Sequence, residues 1–255
     1  MEYRVRLNVL SASIVVALGV AVSLITSTVV ASRAYHNRVA KAAEVAQELT
    51  VKGFTRSRVR SDLGTWTIRI SGEGEDMAAA YAQLEFAADR VQSFLAAQQF
   101  PDDEITLSAI HTDTHYHRDE KGQQTRQVSG YTLQRHFKVT SVHVDRITAA
   151  AGEVTQLLKE NVRVASSAPD YYYTKVADLK VKILGEASQD ALARAREIAA
   201  NSGCAVGEVR TARMGVIQIT QPHSTEVSSS GIYDTSTIEK DISVVVTVTY
   251  GISRS

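Results

Sequence analysis

The sequence predicts an α+β fold: an N-terminal transmembrane helix followed by two interlocked α/β subdomains with antiparallel sheets and helices on one face. Three observations carry this reading. Residues 9–32 form a charge-free apolar run between Arg6 and Arg33. The segments TWTIRIS and DISVVVTVTY alternate apolar and polar residues, the mark of half-buried strands. Between the strands lie Ala-rich segments with apolar residues at helical spacing.

The apolar run is long enough to cross a bilayer, which takes about 20 predominantly apolar residues. It is also longer than the ~7–15 apolar residues of a cleaved signal peptide, and the sites after Ala31 and Ala34 fit a cleavage pattern poorly. An uncleaved anchor over residues 1–33 is therefore favoured over a signal sequence. Arg4 and Arg6 flank one end; Arg33, Arg38 and Lys41 flank the other. These counts fix no orientation by the positive-inside rule. The short N-terminal tail favours N-in with the domain exported. Residues 34–49 contain good helix formers and no Gly or Pro, and read as a helical stalk.

The rest, residues 50–255, reads as one domain of two subdomains, approximately 50–143 and 144–255. LTVKGFTRSRV is a first strand, interrupted by Gly53, and TWTIRIS a second with Trp66, Ile68 and Ile70 inward. Asp76 is an N-cap for a helix running to about Gln99, with Met77, Tyr81, Leu84, Ala88, Val91 and Leu95 on its buried stripe and Pro101 ending it. ITLSAIHTDTHYH and YTLQRHFKVTSVHV form a hairpin around a long charged loop. A helix follows from about Asp145 to Asn161, with Ile147, Ala151, Val154 and Leu158 inward. The longest soluble helix spans about Ala177 to Ser202, with Leu179, Ile183, Ala187, Ala191, Ala195 and Ile198 inward and Gly203 at C′. GEVRTARMGVIQIT and DISVVVTVTY are the closing strands, and the Ser/Thr-rich stretch between them reads as a mobile loop.

Composition narrows the function classes. The 255 residues include 28 basic and 28 acidic side chains. Such a balance gives no general attraction to nucleic acid. The single cysteine, Cys204, excludes an internal disulfide framework and a cysteine zinc site. No Ser/His/Asp set, phosphate loop or paired-carboxylate spacing points to an enzyme, and no cofactor is implied.

Several stretches, taken in order, resemble the SIMPL-domain family of bacterial envelope proteins, in particular its membrane-anchored members. They are TVKGFTRSRVRSDLGTW, FPDDEITLS, SGYTLQRHFKV, PDYYYTKVADLK with the Ala-rich helix and SGCAVGEV, and STIEKDISVVVTVTY. The resemblance covers nearly the whole chain. It implies an α+β domain in the periplasm or on the outer face of the inner membrane, assembling into large rings or cages. It supplies no catalytic residues, and some members are linked to oxidative-stress defence.

Two sets of residues stand out as candidate sites. His111, Asp113, His115 and His117 would share one face of a strand, and imidazole and carboxylate suit zinc, nickel or copper. Residues two apart on a strand lie ~6.5–7 Å apart, a long reach for one ion. A solvated strand end is the competing reading. Tyr171, Tyr173, Val244, Val246 and Val248 are the expected homo-oligomer contacts, since amphipathic aromatics and strand edges recur at interfaces. The expectation is a non-enzymatic, membrane-anchored envelope protein forming a ring or cage, tethered to the lipid bilayer through residues 9–32. The alternative is a metal- or small-ligand-binding envelope protein using the histidine strand.

Overall fold

The computed structural model describes residues 18–20, 22–37 and 47–254. Residues 9–17 and 21 of the apolar run, and 38–46 of the stalk, lie outside the described residues. The remainder of the run belongs to helix α1, Leu18–Asn37. Its apolar side chains are exposed: Leu18 60%, Leu24 62%, Ile25 64% and Val30 67%.

The chain divides into two compact units, one of Met1–Gly53, Ser188–Arg213 and Val246–Ser255, the other of Phe54–Ala187 and Met214–Val245. Antiparallel pairing dominates, as the alternating sequences predict. The first sheet has strands β1 (Glu48–Arg60), β8 (Cys204–Met214), β9 (Gln218–Thr220) and β10 (Glu239–Arg254). Its order is β1-β10-β8, with β9 also paired to β10. The second sheet has the order β3-β5-β2-β6, with β4 paired to β5 and β7 to β2. Here β2 is Leu63–Gly74, β3 Ile105–Leu107, β4 His111–Arg118, β5 Gln124–Ser141, β6 Val164–Ser166 and β7 Asp170–Tyr172.

In the larger unit, the core forms where β2 and β5 meet α2 (Met77–Ala97) and α3 (Val144–Glu153). Trp66, Ile68 and Ile70 from β2 and Leu133, Phe137 and Val139 from β5 are buried against Leu84, Val91 and Leu95 of α2 and Ile147 of α3. Each such side chain contributes about 1.5–3 kcal/mol of transfer free energy. Asp76 caps α2 by accepting the Ala79 N–H at 2.8 Å. The buried stripe of α2 runs through Ala80, Leu84, Ala87, Ala88, Val91 and Leu95. Met77 and Tyr81 point to solvent instead, because the helix seats on its alanines. Gly72 makes this possible: a Cβ there would lie 2.3 Å from the Ala80 carbonyl oxygen.

The helix expected from Asp145 to Asn161 is shorter. It is α3 followed by a 3-10 segment, Val154–Glu160, ended by Asn161 at φ 58°. The tighter winding of a 3-10 turn brings Leu157 inward and leaves Leu158 half exposed. The charged hairpin loop is also shorter than expected, Asp119–Gln123. The Asp119 carboxylate accepts the N–H groups of Lys121 and Gln123, both at 2.9 Å, and Gly122 supplies the positive φ, 76°. Strand β5 therefore begins at Gln124, yet β2 pairs with it only from Tyr131 onward. Among the described residues, 124–130 pair with β4 alone and form a two-stranded ribbon whose register shifts between His115 and Tyr116 and again between Tyr116 and Arg118, the extra residues lying on β5.

The stretch between β9 and β10 is anchored throughout rather than a bare loop. Ile219 N–H donates to Ile232, Asp234 N–H to Ile219 and Tyr171 N–H to Thr235, at 2.7–2.9 Å. The Thr235 hydroxyl donates to Asp170 at 2.8 Å. Helix α4 (Val176–Asn201) buries Ile183 and Ala187 within the larger unit and Ala191, Ala195 and Ala199 within the smaller. The expected Ile198 is 47% exposed, because the buried stripe advances by four residues at each step. Gly203 follows with φ 66°, as a C′ residue should. The smaller unit also buries Val246, Val248 and Tyr250 of β10, and Thr50 and Thr249 hydroxyls meet at 2.9 Å.

Candidate functional site

Three places in the molecule concentrate chemistry. The first is the histidine strand. His111 Nε2 lies 3.2 Å from Asp113 Oδ1, and both side chains are largely in solvent. His115 Nε2 instead pairs with the Thr132 hydroxyl at 2.7 Å. His117 lies beyond the first bulge, where the register with β5 has shifted. Among the described residues, no three His, Cys, Asp or Glu side chains come together as a metal site. The four side chains expected to share one ion therefore do not converge: His111 sits on Asp113, His115 turns to Thr132, and residues two apart on a strand stand ~6.5–7 Å from one another.

The second is a charged network at the start of β10. Lys240 is fully buried, with Nζ 2.6 Å from the Asp234 carbonyl oxygen and 3.1 Å from its carboxylate. Asp241 beside it is bound by Arg58 Nε at 2.9 Å and Nη2 at 3.2 Å, and by the His223 N–H at 3.1 Å. Hydrogen bonds from Arg58 hold the Asp241 carboxyl below the usual carboxylate range, against an opposing push from burial. Burial likewise pushes the Asp234 carboxyl up, but hydrogen bonds from Ser236, Thr237 and Lys240 outweigh it and hold the group well below that range. Every member is satisfied, so the network ties the chain between β9 and β10 to β1. Nearby, the Tyr172 and Tyr233 rings meet with centroids 6.4 Å apart and planes tilted by 35°. Burial, with smaller effects from Tyr172 and Asp62, raises the Tyr233 phenol.

The third is a cleft of about 550 Å³ beside the edge of β2, walled by Ser71, Gln83, Phe86, Leu158, Asn161 and Arg163. Arg163 is already paired with Glu73.

Most of the expected assembly residues are buried within the chain itself. Tyr171 is 5% exposed and gives its hydroxyl to a 2.6 Å contact with Thr148. Val244, Val246 and Val248 are 2–3% exposed. These four lie among the chain's own buried residues; of the five, Tyr173, half-buried, retains partial access. Alternation identified the apolar face of β10 but not what covers it. The network around Lys240 had no sequence signal beyond ordinary charges near a strand start. Cys204 is half-buried, its Sγ 3.7 Å from the Ser202 carbonyl oxygen.

A chain with two antiparallel sheets, helices packed on them and an exposed N-terminal apolar helix belongs to the α+β class. Residues 49–250 match the family described as SIMPL, protein of unknown function (DUF541), and the chain belongs to that family. No curated protein matches it. Among solved structures, it is similar at 15% identity to an amidase of the hydantoinase/carbamoylase family from Burkholderia phymatum, over 46% of this chain and 32% of that one, TM-score 0.25. A putative aminohydrolase from methicillin-resistant Staphylococcus aureus is similar at 12% identity, over 55% and 38%, TM-score 0.25. The regulatory subunit of aspartate kinase from Thermus thermophilus is similar at 12% identity, over 76% and 86%, TM-score 0.19. The chain spans about a third of the length of each of these two proteins, 32% and 38%. Likeness at these TM-scores transfers no chemistry.

Proposed function

We propose that this SIMPL protein is a membrane-anchored, non-enzymatic envelope scaffold whose exported domain self-assembles into a ring or cage. The observation that carries the reading is α1: its apolar side chains are exposed along the described helix. Apolar surface left in water costs about 25 cal/mol per Å², so such a helix calls for lipid around it. A single-pass anchor in the inner membrane, with the domain on the periplasmic side, meets that need. Exposed apolar side chains on the domain, among them Val209, Met214 and Val227, support self-association. Placement in the envelope accords with a part in stress defence.

The test has two readouts on full-length protein. Membranes washed with alkaline carbonate should retain the chain, and protease added outside intact spheroplasts should digest the domain. Light scattering of the detergent-solubilised protein should give a large multiple of the 27.8 kDa chain mass. Release by carbonate would remove the anchor reading, and a single-chain mass would remove the scaffold reading.

A further inference from the structure

Strand β8 ends the order β1-β10-β8, so one of its edges has no strand neighbour among the described residues. It is 11 residues long, and Glu208 through Met214 are all exposed, Val209 at 57% and Met214 at 60%. It contains no proline. A long open edge of this kind is a template for another strand.

The sequence of this edge is complementary to itself in one register. Directly opposed residues in an antiparallel pair share a face, so across a two-fold axis normal to the sheet their numbers add to an even sum. With the axis at Val209, Val209 faces its own copy and Glu208 faces Arg210 of the second copy, twice by symmetry. Cys204 then faces Met214, and Val206 faces Ala212. Moving the axis to Arg210 opposes two guanidinium groups. Moving it to Glu208 opposes two carboxylates. Moving it to Gly207 or Thr211 leaves Glu208 and Arg210 opposite uncharged residues. Opposite charges across strands favour pairing and like charges oppose it. The Arg210 guanidinium lies beside Gly251 and carries five donors, so the cross-strand carboxylate adds to its existing contacts.

We propose that β8 is a homodimerisation edge, in which two copies of this chain pair antiparallel along Cys204–Met214 about a two-fold axis at Val209. The proposal rests on the self-assembly reading and names its contact. An isologous contact closes at two copies, so a ring or cage needs a second, different surface. An assembly in which every chain makes this contact holds an even number of chains.

The test uses full-length protein in detergent, on a Cys204→Ser background. Val209→Cys should form a disulfide-linked dimer on mild oxidation. Thr211→Cys should not, since its copy lies four residues away along the partner strand, about 13 Å, beyond disulfide reach. Glu208→Arg and Arg210→Glu should each raise the dimer dissociation constant at least tenfold, and the double variant Glu208→Arg/Arg210→Glu should restore it. That restoration separates a contact effect from misfolding. Cross-linking at 211 but not at 209, or an oligomer unmoved by Glu208→Arg, overturns the edge while leaving self-assembly in place. A monomeric wild type overturns both.

Discussion

Lys240 Nζ sits 2.6 Å from the carbonyl oxygen of Asp234 and 3.1 Å from the same residue's carboxylate, with the lysine wholly out of solvent. One side chain thus fixes both the main chain and the charge of the segment that precedes β10. Breaking a buried pair leaves the other charge uncompensated, which costs more than the pair contributes. Lys240→Met should therefore lower the unfolding free energy by about 3 kcal/mol, read by urea titration. An unchanged midpoint would remove the network from the stability account.

Acid should reach this network late. The folded Asp234 and Asp241 carboxyls lie below the ~3.9 of an unfolded aspartate. As pH falls through about 4, the unfolded chain takes up protons first, so stability is full above that pH and is lost as pH approaches the folded-state values. Arg58→Met removes the largest holder of the Asp241 charge, so it should lower the stability present above about pH 4 and move the acid-unfolding midpoint to higher pH. Coincident acid-unfolding curves for the two proteins would contradict this.

The seating of α2 on β2 is sensitive to one methyl group. At Gly72 an added Cβ meets main-chain atoms of Ala80 and Leu84, which cannot swing aside. Gly72→Ala should cost about 2–3 kcal/mol through overpacking. Gly152→Ala, which meets nothing within 4 Å, should have little effect. Thermal unfolding of the pair provides the comparison.

The cap of the same helix is a smaller matter. Asp76→Ala leaves the Ala79 N–H without its 2.8 Å partner. The expected loss is about 1 kcal/mol, and Asp76→Asn should recover most of it.

How far the sequence could be read depended on periodicity. Trp66, Ile68 and Ile70 were legible because a strand between solvent and core alternates. Leu84, Val91 and Leu95 were legible for the helical equivalent. Leu158 was misplaced because the winding tightens at Val154 and the period changes with it. Residues 124–130 read as loop because polar side chains on both faces of a ribbon leave no alternation to find. The anchored stretch before β10 read as mobile because its order comes from Asp234, Ser236 and Thr237 bonding locally, a pattern that composition shares with true loops. Val244, Val246 and Val248 showed an apolar face plainly; that the chain covers it itself is a tertiary fact.

The ribbon of β4 and β5 should be the first part of the larger unit's second sheet to lose amide protection. Its strands have no third neighbour among the described residues, and isolated two-stranded hairpins are marginal in water. Hydrogen exchange in residues 124–130 should run at least about 100-fold faster than at Ile68 and Phe137. Equal protection would mean that something else covers it.

That same ribbon is a lever. From Gly130 to Gln124 it reaches about 20 Å at strand spacing. Its bulge at His115–Tyr116 sits near the root, where the two-stranded part leaves the sheet. A rotation of about 10° at that point would carry the turn at Gly122 through roughly 3–4 Å, a displacement set by strand length and spacing alone. Small angular changes at His115 are thereby converted into motions the size of a side chain at the tip, and the bulge, more than the turn, governs where the tip points.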